Sequence, residues 1–351
     1  MKKLFALAAM IFALTAISCN KDPEGETTKV DLTELNAMVA DCEAILKDAT
    51  TDDYPQSAID AFKSSVDAVK AAAPKAENEA AVKSLISRLE EAKAAFLATE
   101  LDAIDPDTVI FALSFDEGTG TELKTTGKNK WTAVLQKGAE ELFPDTKLPE
   151  FVDGKVGKAL HFNDASHLSI SDYDAAAVTG IKNLAISCWV KPDALRASNY
   201  IVSLDSWHVW KFQTQDGGKP FLTLATNNGI TDMDNERDAS VAVGQWSHLV
   251  VSWDGATGNI DMYVNGELTK TWEGSAHDGK HKAGSVISSI EEGKTPEIAI
   301  GSDETINVKR GPDGNEISAW DAWFCGTIDE LAVYNAPLTA GQVSKLYNSQ
   351  N

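Results

Sequence analysis

Two short stretches gather the residue types that hold a sugar ring. "DSWHVWKF" sets Trp207 and Trp210 three residues apart with Asp205 and His208 beside them, and "SAWDAWF" places Trp320, Asp321 and Trp323 in the same way. An exposed indole covers the apolar C–H face of a pyranose, while the hydroxyls need a neighbouring Asp, Asn, Arg or His. Arg310, in the loop before Trp320, is a further partner of that kind. Tryptophan is usually largely buried, so any one of these indoles could instead fill a core or seal a loop. With nine tryptophans in the chain, the expectation is that at least one of these four is exposed and functional.

These residues need a scaffold, and the chain changes its periodicity to supply one. From 31 to 101 the spacing is helical: Leu35, Met38, Val39, Cys42, Ile45 and Leu46 form one stripe, and Ile59, Phe62, Val66 and Val69 a second. Val82, Leu85, Leu89, Ala92 and Phe96 form a third, and Pro55 and Pro74 punctuate the middle helix. The pattern predicts a small antiparallel three-helix bundle. Residues 102–108 form a linker, and from Val109 the period becomes two. "VIFALSF", "NLAISCWVKP", "WSHLVVSWD" and "TIDELAVYN" are among many short predicted strands, and Asn265-Gly266 is a two-residue hairpin signal. Many strands without intervening helices predict a two-sheet sandwich over 109–351. Residues 273–295 and 303–319 read as long loops, as does "TNNGITDMDNERD".

In "WSHLVVSW", Trp246, His248 and Val250 share one face, and Leu249, Val251 and Trp253 share the other. His248 therefore reads as a paired core histidine rather than a base. Asp329 is stranger, because a carboxylate inside a closing strand is expensive to bury unpaired. Ile328 is also out of parity with Leu331 and Val333, which predicts a bulge at Asp329-Glu330. Either a calcium ion or a cap of backbone amides would resolve both oddities. Cys188 and Cys325 lie in predicted strands; two free thiols are the default and a cross-strand disulfide the alternative.

The chain carries a formal charge of −22, which argues against nucleic-acid partners. Lys2 and Lys3 precede an apolar run from Leu4 to Ile17 that is too short for a stable membrane anchor. Its ending, "AISCN", resembles a bacterial lipoprotein signal over residues 1–19, with Cys19 as the lipidated residue. "NKDPEGE", in the tether 20–30, resembles the surface-export tags of Bacteroidetes-type lipoproteins. The resemblance implies a surface-exposed outer-membrane lipoprotein, held to the membrane through its lipid alone. The helical stretch from Tyr54 to Phe96 resembles the FIVAR-type modules of bacterial surface proteins, which act as stalks or weak binders.

"FDEGTGTEL", "GKVGKALHFN", "LAISCWVKPD", "QWSHLVVSWDGATGNIDMYVNGE", "IAIGSD" and "GTIDELAVYNAPLTAGQVSKLY" occur in the order seen in laminin G-like, concanavalin A-like jelly-roll domains. That resemblance implies a β-jelly roll, a frequent structural calcium, and binding of carbohydrate or protein more often than chemistry. Asp116 would be a second calcium ligand beside Asp329, since first and last strands of such sandwiches are neighbours, and Asn163 a third. Jelly-roll hydrolases carry an E-x-D-x-E-like strand, whose nearest counterpart here is "DMDNE" with Asp232, Asp234 and Glu236. It lacks the leading glutamate and the apolar spacer, and no phosphate loop, zinc spacing or nucleophile elbow occurs. The expectation is a non-catalytic, monomeric surface lipoprotein that captures glycan. A protein-binding adhesion or assembly role is the alternative, and glycoside hydrolysis a remote one.

Overall fold

The computed structural model describes residues 30–51, 53–140, 143–303 and 323–351. Cys19, Arg310, Trp320 and Asp321 lie outside the described residues.

Three helices come first: α1 (Thr33–Asp48), α2 (Gln56–Ala72) and α3 (Glu79–Leu97). Their inward stripes, including Leu35, Cys42, Phe62, Val66, Val69, Leu85, Leu89 and Phe96, close on one another as one core. Pro55 stands at the N-cap of α2, where its missing N–H costs nothing. Asn78 caps α3 by accepting from the Ala81 N–H at 2.9 Å.

Sixteen strands follow among the described residues. In chain order they are β1 (Val109–Leu113), β2 (Glu122–Lys124), β3 (Thr132–Gln136), β4 (Glu150–Asp153), β5 (Lys158–Phe162) and β6 (His167–Ile170). After a short helix, α4 (Ala175–Val178), come β7 (Asn183–Pro192), β8 (Asn199–Leu204), β9 (Trp210–Thr214), β10 (Pro220–Thr226) and β11 (Gly229–Asp234). The last are β12 (Ser247–Asp254), β13 (Asn259–Val264), β14 (Glu267–Trp272), β15 (Ile298–Ile300) and β16 (Gly326–Tyr334), before the C-terminal helix α5 (Ala340–Ser349).

They form two antiparallel sheets, a jelly-roll sandwich of the expected kind. The first runs β14-β13-β12-β7-β16-β5-β4, with β1 also beside β16. The second runs β11-β10-β9-β8-β15-β6-β3-β2. Between them lies a core that includes Phe111, Ile186, Cys188, Leu249, Val251 and Trp253 from the first sheet and Val202, Trp210, Phe212, Leu222 and Ile300 from the second. β7 is buried along both faces because α5 covers the side turned away from that core. Val343 of α5 packs with Ala185, Val250, Tyr263 and Tyr334 there. Gln342 of α5 also reaches back to the linker, donating from Nε2 to the Ala103 carbonyl at 3.0 Å.

Two expectations change. "TNNGITDMDNERD" is not all loop: Gly229–Asp234 pairs along β10, so Asp232 and Asp234 stand on a strand. Its polarity reflects an edge strand, which has only one neighbour to satisfy. His248 is buried as expected, but only its Nε2 has a partner, Ser187 Oγ at 2.9 Å, and Nδ1 has none. The cysteines 42, 188 and 325 are free thiols, and Cys188 lies wholly in the core.

Candidate functional site

β9 reads "WKFQT", and its alternation sends Trp210 and Phe212 into the core and Lys211 and Gln213 to the opposite face. Solvent would normally receive those two polar side chains. Here both are only 2 % exposed. The reason lies on the neighbouring elements. Tyr200 of β8 stands opposite Gln213, and Phe221 of β10 stands on its other side. Trp207, in the turn between β8 and β9, folds back over the same spot.

The ammonium of Lys211 lies 3.5 Å from the centroid of the Trp207 ring, 4.7 Å from that of Tyr200 and 5.8 Å from that of Phe221. It donates to Tyr200 Oη at 2.9 Å. Cation–π attraction is strongest where the cation is desolvated, so this cage fixes the lysine head in place. Trp207, Phe221, Lys211, Gln213, Gln215, Ala197 and Ser198 together line a pocket of about 160 Å³. Aromatic walls over a polar floor can cover one face of a ring while hydrogen-bonding its edge.

The sequence-selected residues separate around this pocket. Trp207 is half-buried and forms its wall. His208 is exposed beside it, its Nδ1 3.0 Å from Asp205 Oδ1. Asp205 is 7 % exposed, and its Oδ2 is a buried atom without a hydrogen-bond partner. Trp210 does not belong to the site. It is fully buried, and its Nε1 donates to the Val178 carbonyl at 3.2 Å. A spacing of three reads as a pair on a helix, but here the two tryptophans lie across a turn-to-strand boundary and face opposite ways.

Trp323 is half-buried, with the Arg196 guanidinium 3.6 Å from its ring centroid and Phe143 edge-on at 4.7 Å. Burial holds Arg196 below the ordinary guanidinium pKa. Arg196 directly precedes Ala197 and Ser198 of the pocket wall, which puts Trp323 on a separate platform along the same loop.

Lys211, Gln213, Tyr200 and Phe221 were not singled out from sequence. Alternation marks Lys211 and Gln213 as solvent-facing; only the aromatics at Tyr200, Trp207 and Phe221 hint otherwise, and their meeting depends on strand order.

The calcium set does not assemble. β16 pairs with β5 through Gly326–Ile328 and with β1 through Leu331–Tyr334, along the same edge. The bulge separates these halves, and Glu330 takes φ +48° as the extra residue. Asp329 sits at the gap and is wholly buried. The β4–β5 turn fills the gap: the N–H groups of Lys155 and Val156 donate to Asp329 Oδ2 at 2.8 and 3.0 Å, and that of Glu330 donates to Oδ1 at 2.8 Å. Asp116 reaches the same turn and accepts from the Lys158 N–H at 2.8 Å. Asn163, however, follows the far end of β5, where its Oδ1 accepts from the Asp164 N–H. Among the described residues no three His, Cys, Asp or Glu side chains are gathered to hold a metal. Amide donors cap Asp329 from the backbone, and Asn163 lies at the other end of β5, so Asp116, Asn163 and Asp329 do not meet as one calcium ligand set.

Packing carboxylates together has a titration consequence. Burial, then Asp329 and Asp116, push Glu330 up to about 7, and burial pushes Asp329 up to about 6 against its amide donors. The folded state therefore keeps protons that the unfolded chain has released. That stabilisation is complete below the ordinary carboxylate values and is lost as pH rises through 6 and 7. Buried histidines act in the opposite sense: His248 is pushed down to about 3 by burial, and His167 and His281 are lowered by the same cause. Their contribution is present above the ordinary histidine value and lost as pH falls below it. The melting temperature is therefore expected to peak near about pH 6.5. Glu330→Gln should raise it at pH 8 by roughly 2–4 °C and flatten the alkaline limb. An alkaline limb unchanged in that variant removes Glu330 from the account.

The carboxylates of "DMDNE" are each engaged. Asp232 Oδ1 accepts from Thr223 Oγ1 at 2.5 Å, Asp234 pairs with Lys219 at 3.0 Å, and Glu236 pairs with Lys270.

No curated protein matches the chain. Among solved structures it is similar to domain 4 of AbnA, a GH43 extracellular arabinanase from Geobacillus stearothermophilus, in complex with arabinotriose. That similarity has 21% identity and a TM-score of 0.47, over 68% of this chain and 98% of that one. The binding domain of Paraclostridial Mosquitocidal Protein 1 is similar at 15% identity and a TM-score of 0.47, over 70% and 52%. The botulinum neurotoxin serotype G binding domain is similar at 17% and 0.45, over 68% and 50%, so the chain spans about half the length of these two. The family model described as the concanavalin A-like lectin/glucanases superfamily matches residues 162–344, from the end of β5 into α5. That span is more than half of the chain and contains both the caged lysine and the closing strand: the chain belongs to the concanavalin A-like lectin/glucanases superfamily.

Proposed function

We propose that this protein is a non-catalytic carbohydrate-binding lipoprotein of the bacterial surface, which captures glycan at the Trp207–Phe221 pocket. The observation that carries the reading is the pocket itself: two aromatic walls, a fixed ammonium and a buried amide. A sugar matches it, because its ring has apolar C–H faces and a polar rim. The non-catalytic reading rests on the engagement of Asp232, Asp234 and Glu236 with Thr223, Lys219 and Lys270. Cys19 would carry the lipid, residues 20–30 would act as tether, and the FIVAR-like three-helix module would hold the sandwich away from the membrane. No helix among the described residues is long and apolar enough to cross a membrane.

Affinity electrophoresis of the intact protein through soluble polysaccharides tests this, alongside a glycan array. Retention by at least one polysaccharide, weakened by Phe221→Ala, is the expected result. Absence of retention on every polysaccharide would refute it.

One observation favours a second reading, in which the helical module binds a protein. Between α2 and α3 runs a groove of about 490 Å³ lined by Pro55, Ala58, Ala61, Phe62, Ala95 and Phe96. An apolar helix pair of this kind accepts an amphipathic segment. Binding to a protein ligand that survives deletion of the pocket but not Ala61→Glu would establish that role.

A further inference from the structure

The pocket is small. Its volume of about 160 Å³ lies well below the roughly 300–1,000 Å³ of sites that bury a drug-sized ligand. A groove that binds the interior of a polysaccharide must admit several consecutive rings and be open at both ends. Here the floor is closed by Lys211 and Gln213, and Trp207 lies over the lysine head. A volume that small is matched by a single sugar ring held against Trp207 and Phe221.

Gln213 supplies the second observation. The residue is 2 % exposed and lines the pocket, yet its Oε1 is buried without a hydrogen-bond partner. A buried acceptor left unpaired is costly, and a ligand donor that meets Oε1 once the amide turns toward the pocket recovers that cost. Carbohydrate hydroxyls are such donors. The neighbouring Lys211 can only donate, so Gln213 Oε1 is the acceptor this pair can offer a sugar hydroxyl.

Resting on the carbohydrate reading above, we propose that the pocket binds the terminal ring of a glycan, one sugar at a chain end, and that Gln213 selects that ring through one of its hydroxyls. The protein thereby recognises chain ends, and its binding capacity on a polymer scales with the number of ends, not with polymer mass.

The test uses the intact protein and the polysaccharide that retains it most strongly. Methyl glycosides of the sugars in that polymer serve as competitors, together with the same polymer after its non-reducing ends have been capped enzymatically with a different sugar. The expected result is that one methyl glycoside competes to completion and that end-blocking abolishes retention. Gln213→Leu should weaken that glycoside about tenfold, while the deoxy analogue lacking the recognised hydroxyl binds wild type and variant alike. Retention that persists after end-blocking, with no competition by any methyl glycoside, would overturn the chain-end proposal and leave the carbohydrate reading intact. Equal loss of the glycoside and all its deoxy analogues in Gln213→Leu would overturn the role of Gln213. No retention by any polysaccharide sinks both readings together.

Discussion

Trp207→Ala is expected to abolish polysaccharide retention while leaving a folded protein, the largest functional effect any single substitution here should produce. The indole is half-buried, so it is both wall and cover. Truncating a central tryptophan of a binding site commonly costs 2 kcal/mol or more, about thirtyfold in affinity. Here the loss is compounded, because the same ring holds the Lys211 ammonium at 3.5 Å. Without it, the lysine head gains freedom and the floor loses its shape. The cost in stability should be about half that of a buried aromatic, roughly 2 kcal/mol, visible as a melting temperature lower by several degrees. Trp207→Phe keeps a ring over the lysine and should recover part of the binding. Trp210→Ala is the contrasting control. Its ring is fully buried, so it should cost roughly 3–5 kcal/mol and lose binding only through unfolding. Normal retention by a folded Trp207→Ala protein would move the site elsewhere, first to the platform of Trp323 and Arg196.

Those two tryptophans also show where the sequence stops being legible. The helical stripes and the switch of period at Val109 can be read directly, because each depends on local spacing alone. The bulge at Asp329-Glu330 could be read too: Ile328, Leu331 and Val333 all enter the core, and the first two are three positions apart, an odd step, so one residue must be extra. The site depends on something else. Lys211 and Gln213 look solvated in "WKFQT", and they become a buried floor only because β8 and β10 flank β9 and a turn lays Trp207 across them. Strand neighbours are set by global topology, which no local pattern encodes. The same cause separates Asn163 from Asp116 and Asp329. All three are near β5 in the fold, but the strand's length puts Asn163 at the opposite end from the turn that holds the two aspartates. Edge position explains the misreading of Gly229–Asp234: a strand with one partner and exposed side chains has the composition of a loop.

Asp329→Ala is expected to produce the largest loss of stability. The carboxylate is the acceptor for three backbone N–H groups, from Lys155, Val156 and Glu330. Alanine would leave them unpaired in a gap between β5 and β1 that neither strand can close. At roughly 1–3 kcal/mol per buried orphan donor, less what water entering the cavity restores, the cost is about 3–5 kcal/mol. For a domain of this size that lowers the melting temperature by roughly 8–15 °C. Asp329→Asn is expected to lose less, because its carbonyl oxygen still serves Lys155 and Val156 while its amide meets the Glu330 N–H unfavourably. A backbone change should reproduce the alanine result without touching the carboxylate. A Cβ on Gly154 would lie 2.5 Å from Asp329 Oδ2, and one on Gly157, which has φ +52°, only 2.0 Å from Asp116 Oδ1. Gly154→Ala must therefore push the turn away from the aspartate and break the same bonds. Because backbone amides cap the carboxylate and no three-ligand group gathers there among the described residues, chelation with EGTA is expected to leave the melting temperature unchanged in wild type. A fall of several degrees on chelation, restored by added calcium, would show that the carboxylates hold a metal and that the amide cap is its support. If Asp329→Ala melts within a degree or two of wild type, the gap between β5 and β1 closes by other means, and the closing strand does not depend on its aspartate.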